Sequence, residues 1–122
     1  MAAEHLQRGA AAETTALNLL RRAGLQLLAR NARSRAGELD LVMLDGDTLV
    51  FVEVRQRSSA AFGGALDSID AHKCRRVVRA ATGWLAGHPQ YAQAPCRFDV
   101  VLADGQPPQL QWLRDAFRAD DY

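Results

Sequence analysis

The spacing of apolar residues changes period along the chain, and each change predicts an element. Leu6, Ala10, Ala16, Leu17 and Leu20 recur at helical spacing with Glu13 among them, and Gly24 follows as a stop, so a first helix is expected over Glu4 to Ala23. Leu25 to Ala29 reads as a short strand, and the polar, basic stretch from Arg30 to Gly37 as a loop. Two β-rich runs follow, Glu38 to Leu44 (ELDLVML) and Thr48 to Arg55 (TLVFVEVR), on either side of Asp45-Gly46, a dipeptide that favours a tight hairpin. Gln56 to Leu66 (QRSSAAFGGAL) has the Ser/Gly content of a flexible connection. A second helix is expected over Ser68 to Ala86, capped by Ser68 or Asp70 and stopped by Gly87 and Pro89. Cys96 to Ala103 (CRFDVVLA) is a further strand, and after an Asp104-Gly105 turn Leu110 to Leu113 forms a last short one. The order helix, three strands, helix, strand, with a small C-terminal appendage, predicts an α/β fold: a mixed central sheet flanked by helices.

Composition narrows the class. The 122 residues are the length of one domain, and 48% hydrophobic with 24% charged residues is the balance of a soluble globular protein. No run of eighteen apolar residues marks a membrane span, and the glutamates near the N-terminus do not fit a signal peptide. Cys74 and Cys96 are too few and too far apart for a zinc site or a disulfide framework, so a reducing cytoplasm is expected. The net charge of +1 is uninformative, but its layout is not. Arg8, Arg21, Arg22, Arg30, Arg33 and Arg35 crowd the first third, and Asp104, Asp115, Asp120 and Asp121 the last. That asymmetry suits a polyanionic partner, or simply a solvated helix face.

The chemistry concentrates in the hairpin. Strand side chains alternate, so Glu38, Asp40, Val42 and Leu44 share a face, as do Leu49, Phe51, Glu53 and Arg55. A two- or four-residue loop puts Asp40 and Glu53 on the same side, whereas a three-residue loop puts them on opposite sides. Asp-Gly favours the two-residue loop, with the two acids about 5–8 Å apart. Neighbouring carboxylates in an apolar hairpin repel each other and lose solvation. A hard divalent cation relieves both costs, and so does a salt bridge to Arg55 or Arg35. Glu13, on the apolar face of the first helix, needs either the same metal or an arginine.

The stretch GELDLVMLDGDTLVFVEVRQR, Gly37 to Arg57, resembles the YraN family of small bacterial proteins, within the PD-(D/E)XK nuclease superfamily. The likeness extends through Asn31 to Arg33, Phe62-Gly63, Lys73 and RFDVV at Arg97 to Val101. It implies one restriction-endonuclease-like domain over residues 1–122, related to archaeal Holliday-junction resolvases. It further implies Mg²⁺ or Mn²⁺ held by Asp40 and Glu53 with the Val54 carbonyl, and a further acid from Glu13. The family's catalytic lysine falls two residues after Glu53, where this chain has Arg55. An arginine keeps its proton, so it can orient a phosphate but cannot act as a base. Lys73, the chain's one lysine, follows the flexible connection and either swings toward the site or stays an exposed helix-start residue.

His5, His72 and His88 lack metal or triad spacing, and Gly63-Gly64 is a turn rather than a phosphate-binding loop. Trp84 and Trp112 read as packing residues, and Asp99 as a structural anchor for Arg97. The expectation is a metal-dependent endonuclease acting on DNA, branched or damaged DNA being the candidate substrates. Arg30, Arg33, Arg35, Arg57 and Lys73 would hold phosphates, and a homodimer would present two sites. The alternatives are a nucleic-acid-binding domain that kept the fold without turnover, for which Arg55 argues, and a protein-interaction module with a structural acid cluster.

Overall fold

A computed structural model describes residues 2–57, 70–105 and 107–122, the side chains of residues 2–8 and of Arg57 excepted. Two helices, α1 (Ala2–Arg22) and α2 (Ala71–Ala86), flank a five-stranded sheet of β1 (Gln26–Ser34), β2 (Gly37–Asp45), β3 (Thr48–Arg57), β4 (Cys96–Asp104) and β5 (Gln109–Phe117). The strands lie in chain order, β1-β2-β3-β4-β5. The first three form an antiparallel meander, β4 runs parallel to β3, and β5 returns antiparallel to β4. The parallel step encloses α2, because parallel neighbours need a crossover long enough to hold a helix.

Alternation along the strands sorts the core into two layers. Val42, Leu49, Phe51, Val100 and Leu102 pack against Cys74, Val77, Ala81 and Trp84 of α2. Leu41, Met43, Val50, Val52 and Val101 pack against Ala16, Leu17 and Leu20 of α1. An aromatic row stiffens the α2 side: Phe51 stacks on Phe98, Phe98 on Phe117, and Trp84 meets the Phe51 ring edge-on.

The mixed sheet flanked by helices is the expected architecture, and three differences have physical causes. The expected loop from Arg30 to Gly37 is mostly strand: β1 runs to Ser34, and only Arg35-Ala36 turn the chain into β2. The C-terminal appendage is a full nine-residue edge strand instead of four residues. Both are edge strands in which only Phe117 is fully buried, so neither shows the apolar run that marks an inner strand. The third strand continues through Gln56 and Arg57, two residues beyond its expected end. The rest of the Ser/Gly connection, and the helix start at Ser68, lie outside the described residues. Asp70 is the cap of α2, its carboxylate accepting from the Lys73 backbone N–H at 2.8 Å.

Two close approaches set the spacing around the site. The β2–β3 loop has two residues, Asp45 pairing with Thr48 across Gly46-Asp47. Gly46 has φ of +61°, the sign a type II′ hairpin turn needs at its first central position. The β1–β2 turn presses on α2 where side chains are smallest. A Cβ on Gly83 would stand 2.7 Å from the Ala36 Cβ, and one on Gly37 3.3 Å from the Ala80 Cβ.

Candidate metal and nucleic-acid site

The site forms where the β2–β3 ladder opens. Backbone pairing runs from Asp45/Thr48 to Leu41/Val52, and Asp40 and Glu53 come next on the two strands. Side chains take over from main-chain acceptors at that point. The Asp40 N–H donates to Glu53 Oε2 at 3.3 Å, and the Val54 N–H donates to Asp40 Oδ2 at 2.9 Å. The two carboxylates are thereby held by each other's strand. Both lie on the α2 side, continuing the alternation of Val42 and Phe51.

Lys73 completes the contact. From the first turn of α2 its ammonium reaches Glu53 Oε1 at 3.2 Å, while the Glu53 side chain is only 2% exposed. Burial and the adjacent Asp40 charge push the Glu53 carboxyl up to about 7, against the pull of Lys73 and the Asp40 N–H. Asp40 is also raised, first by burial and then by the charges of Glu13 and Glu38, with the Val54 N–H and Lys73 opposing. One ammonium does not neutralise the pair.

Other expected site residues are placed differently. Glu13 is not gathered with the two acids; its carboxylate is held by the Arg30 guanidinium at 3.1 Å. Arg30 also donates to the Thr14 hydroxyl and the Ala10 carbonyl, so this guanidinium ties β1 to α1. Arg33 faces Glu38 at 3.5 Å on the surface, and Arg35 is exposed in the β1–β2 turn. Arg55 lies half-buried two residues beyond Glu53, and its charge helps hold the Asp70 carboxyl below its usual value, after the Lys73 N–H bond and the His72 charge. Arg57 ends β3, and its side chain is outside the described residues.

A hard cation fits the donors that remain. Asp40 and Glu53 supply carboxylate oxygens, and the Val54 carbonyl is the third donor the resemblance implies. Such a set suits Mg²⁺ or Mn²⁺ retaining several waters. Among the described residues no third His, Cys, Asp or Glu joins them.

Beside the acids lies a cleft of about 430 Å³ between β2 and α2. Gly37, Glu38 and Asp40 line one wall, and His72, Lys73, Arg76 and Arg79 the other. Arg76 and Arg79 have no part in the expected site, and His72 is set aside there for want of metal or triad spacing. The signal was available: they share the helix face opposite the buried Cys74, Val77, Ala81 and Trp84. Asp99 takes the expected structural part on the other face of the sheet, accepting from Arg97 Nε at 3.0 Å and Trp112 Nε1 at 2.9 Å.

No helix among the described residues is long and apolar enough to cross a membrane. The family model described as "Uncharacterised protein family UPF0102" matches residues 12–103, which include α1 from Ala12 onward, the hairpin, α2 and nearly all of β4. A UPF0102 protein of Xanthomonas campestris pv. campestris (strain B100) is 59% identical over 121 residues, 99% of each chain. One of Pseudomonas putida (strain GB-1) is 57% identical over 119 residues, 95% of this chain and 97% of its own. By the extent of that family match and by full-length relatives in two genera, the chain belongs to the UPF0102, or YraN, family.

Proposed function

We propose that this chain is a metal-dependent phosphodiesterase acting on DNA, with Asp40 and Glu53 as its metal ligands. The observation that carries the reading is the buried Glu53 carboxylate clasped with the half-buried Asp40 carboxylate at the open end of a β-ladder. They hold surplus negative charge that Lys73 only partly offsets. The metal, when bound, supplies Lewis acidity and an activated water. Asp40 and Glu53 fix its position, each anchored by a backbone N–H of the opposite strand. Lys73 orients Glu53 and places a compact ammonium beside the acids, where it can donate to a phosphate oxygen. It thereby takes the part that the resemblance gives to position 55. Arg55 serves as a phosphate donor on the edge of the site through its planar fork.

Titration with Mn²⁺, followed by calorimetry, tests the ligands. Binding should strengthen up to about tenfold per pH unit below 7 and level off above, because the metal displaces the Glu53 proton. Asp40→Asn and Glu53→Gln should each abolish it. A wild-type chain that binds no Mn²⁺ at pH 8 sinks the proposal. Incubation with junction, flap and single-stranded DNA then reads turnover. Lys73→Met should lower Mn²⁺-supported cleavage at least a hundredfold, and Arg55→Lys should leave it within a few-fold. A rise from no activity to activity in Arg55→Lys would instead favour the second reading, a nucleic-acid-binding domain silenced at position 55.

A further inference from the structure

We infer that the cleft between β2 and α2 is the track for the phosphodiester backbone of a DNA strand, gripped by Arg76 and Arg79 of α2. This deepens the nuclease reading and rests on it for the identity of the ligand. The arginines of β1 are poor candidates for the same work. Arg30 is consumed by Glu13, Thr14 and Ala10, and Arg33 already faces Glu38. Arg76 and Arg79, by contrast, are exposed and have no carboxylate partner among the described residues.

Their placement is ordered. Lys73, Arg76 and Arg79 are spaced three residues apart on one helix face, a row of cations about 9 Å long at the rise of an α-helix. The row begins at the Glu53 carboxylate, where Lys73 is bound, and leads away along the cleft wall. His72 adds a further nitrogen on the same wall. A phosphate chain entering beside Asp40 would meet fixed positive charge along its next linkages, and each contact would displace a condensed counterion. The facing wall carries Glu38 and Asp40, so the cleft is repulsive to an anion on its β2 side and attractive on its α2 side. That polarity gives a bound strand one seat.

The two walls are also closely packed where the β1–β2 turn meets α2. The contact of Ala36 and Gly37 with Gly83 and Ala80 leaves no room for even one methyl group at Gly83. The distance between the walls is therefore set by backbone, not by long side chains.

Fluorescence anisotropy with labelled single-stranded and duplex DNA in EDTA reads binding without turnover. Over a salt series, the double variant Arg76→Ala/Arg79→Ala should reduce the slope of log affinity against log salt by about 2, one unit per lost phosphate contact. Affinity at low salt should fall at least tenfold. Arg33→Ala should leave the slope unchanged. Asp40→Asn, which destroys the proposed metal site, should hold or strengthen binding because it removes an acid from the cleft. No hydrogen bond or ion pair among the described residues involves either arginine side chain, and an unchanged melting temperature certifies the double variant. A double variant that matches wild type in slope and affinity overturns the track while leaving the nuclease reading intact. A wild-type chain that binds no DNA at low salt overturns it as well.

Discussion

The sheet hides two carboxylates, Asp99 and Glu53, on opposite faces, and their surroundings differ in kind. Asp99 is fully buried and collects donors from three directions. Arg97 bonds it through Nε and its terminal nitrogen, Trp112 Nε1 donates at 2.9 Å, and the Asp115 N–H donates at 2.9 Å. The backbone bends to supply that last donor. Asp115 has φ of +51° within an irregularity where β5 spends extra residues opposite Asp99. Glu53 is as deeply buried but receives one backbone N–H at 3.3 Å and one ammonium at 3.2 Å. Each acid has a second carboxylate nearby and one basic residue between them. At Arg97 the second acid, Asp45, is 37% exposed at the hairpin end, whereas Asp40 is largely withdrawn from water beside Glu53. Burial of charge alone therefore does not mark a functional site. Unrelieved charge marks a candidate.

The largest expected effect breaks the relieved site. Asp99→Ala removes the acceptor of Arg97, Trp112 and Asp115 together, leaving a half-buried guanidinium without its main partner. Losing one member of such a pair costs about 3–5 kcal/mol. Urea unfolding should show that loss with no change in Mn²⁺ affinity. A cost under about 1 kcal/mol would mean that the network is ornamental and the comparison is wrong.

A somewhat smaller effect reads the unrelieved site by pH. Between the ordinary carboxyl value of 4.5 and about 7, folded Glu53 keeps a proton that the unfolded chain has released. Raising the pH through that window thus lowers the stability of the metal-free protein, and above about 7 the loss is complete. The shift corresponds to roughly 3 kcal/mol. Melting curves of wild type and Glu53→Gln from pH 5 to 8 read the contribution of the coupled Asp40–Glu53 pair, since the titrating groups outside it are common to both. The wild type should lose stability relative to the variant as pH rises. Parallel curves would show that Glu53 is ordinary and that no charge is stored at the ladder's end.

How far the two sites were legible in the sequence follows from how each is held. The Asp40–Glu53 pair was readable because it depends on strand alternation and a two-residue turn, both local, and Asp45-Gly46 pointed to that turn length. Lys73 was only half legible. Its helix was plain, but its reach to Glu53 depends on how α2 docks, which no local pattern encodes. Glu13 was correctly placed on the inner helix face, yet its partner Arg30 sits on a strand whose exposed residues resembled a loop. The Asp99 network shows the same boundary. Arg97 two residues away was foreseeable, but the Trp112 and Asp115 donors come from an edge strand that the apolar pattern understated.

The smallest effect sharpens the contrast within the unrelieved site. Lys73 is the ammonium that touches Glu53; removing it leaves the buried carboxylate without its cation, but that carboxylate can take up a proton in place of the lost partner. Lys73→Met should therefore cost only about 1 kcal/mol at pH 8, as for a partly solvated ion pair. Its clearer trace is on the proton. Without the ammonium, burial and Asp40 act on Glu53 unopposed except by the Asp40 N–H, and the midpoint should climb above about 7. Carbon-13 NMR of the Glu53 carboxyl reads that midpoint directly. Lys73→Arg, which keeps the charge, should return it most of the way. If Lys73→Met leaves the midpoint in place, the contact at 3.2 Å carries no electrostatic coupling, and the part proposed for Lys73 beside Asp40 and Glu53 falls with it.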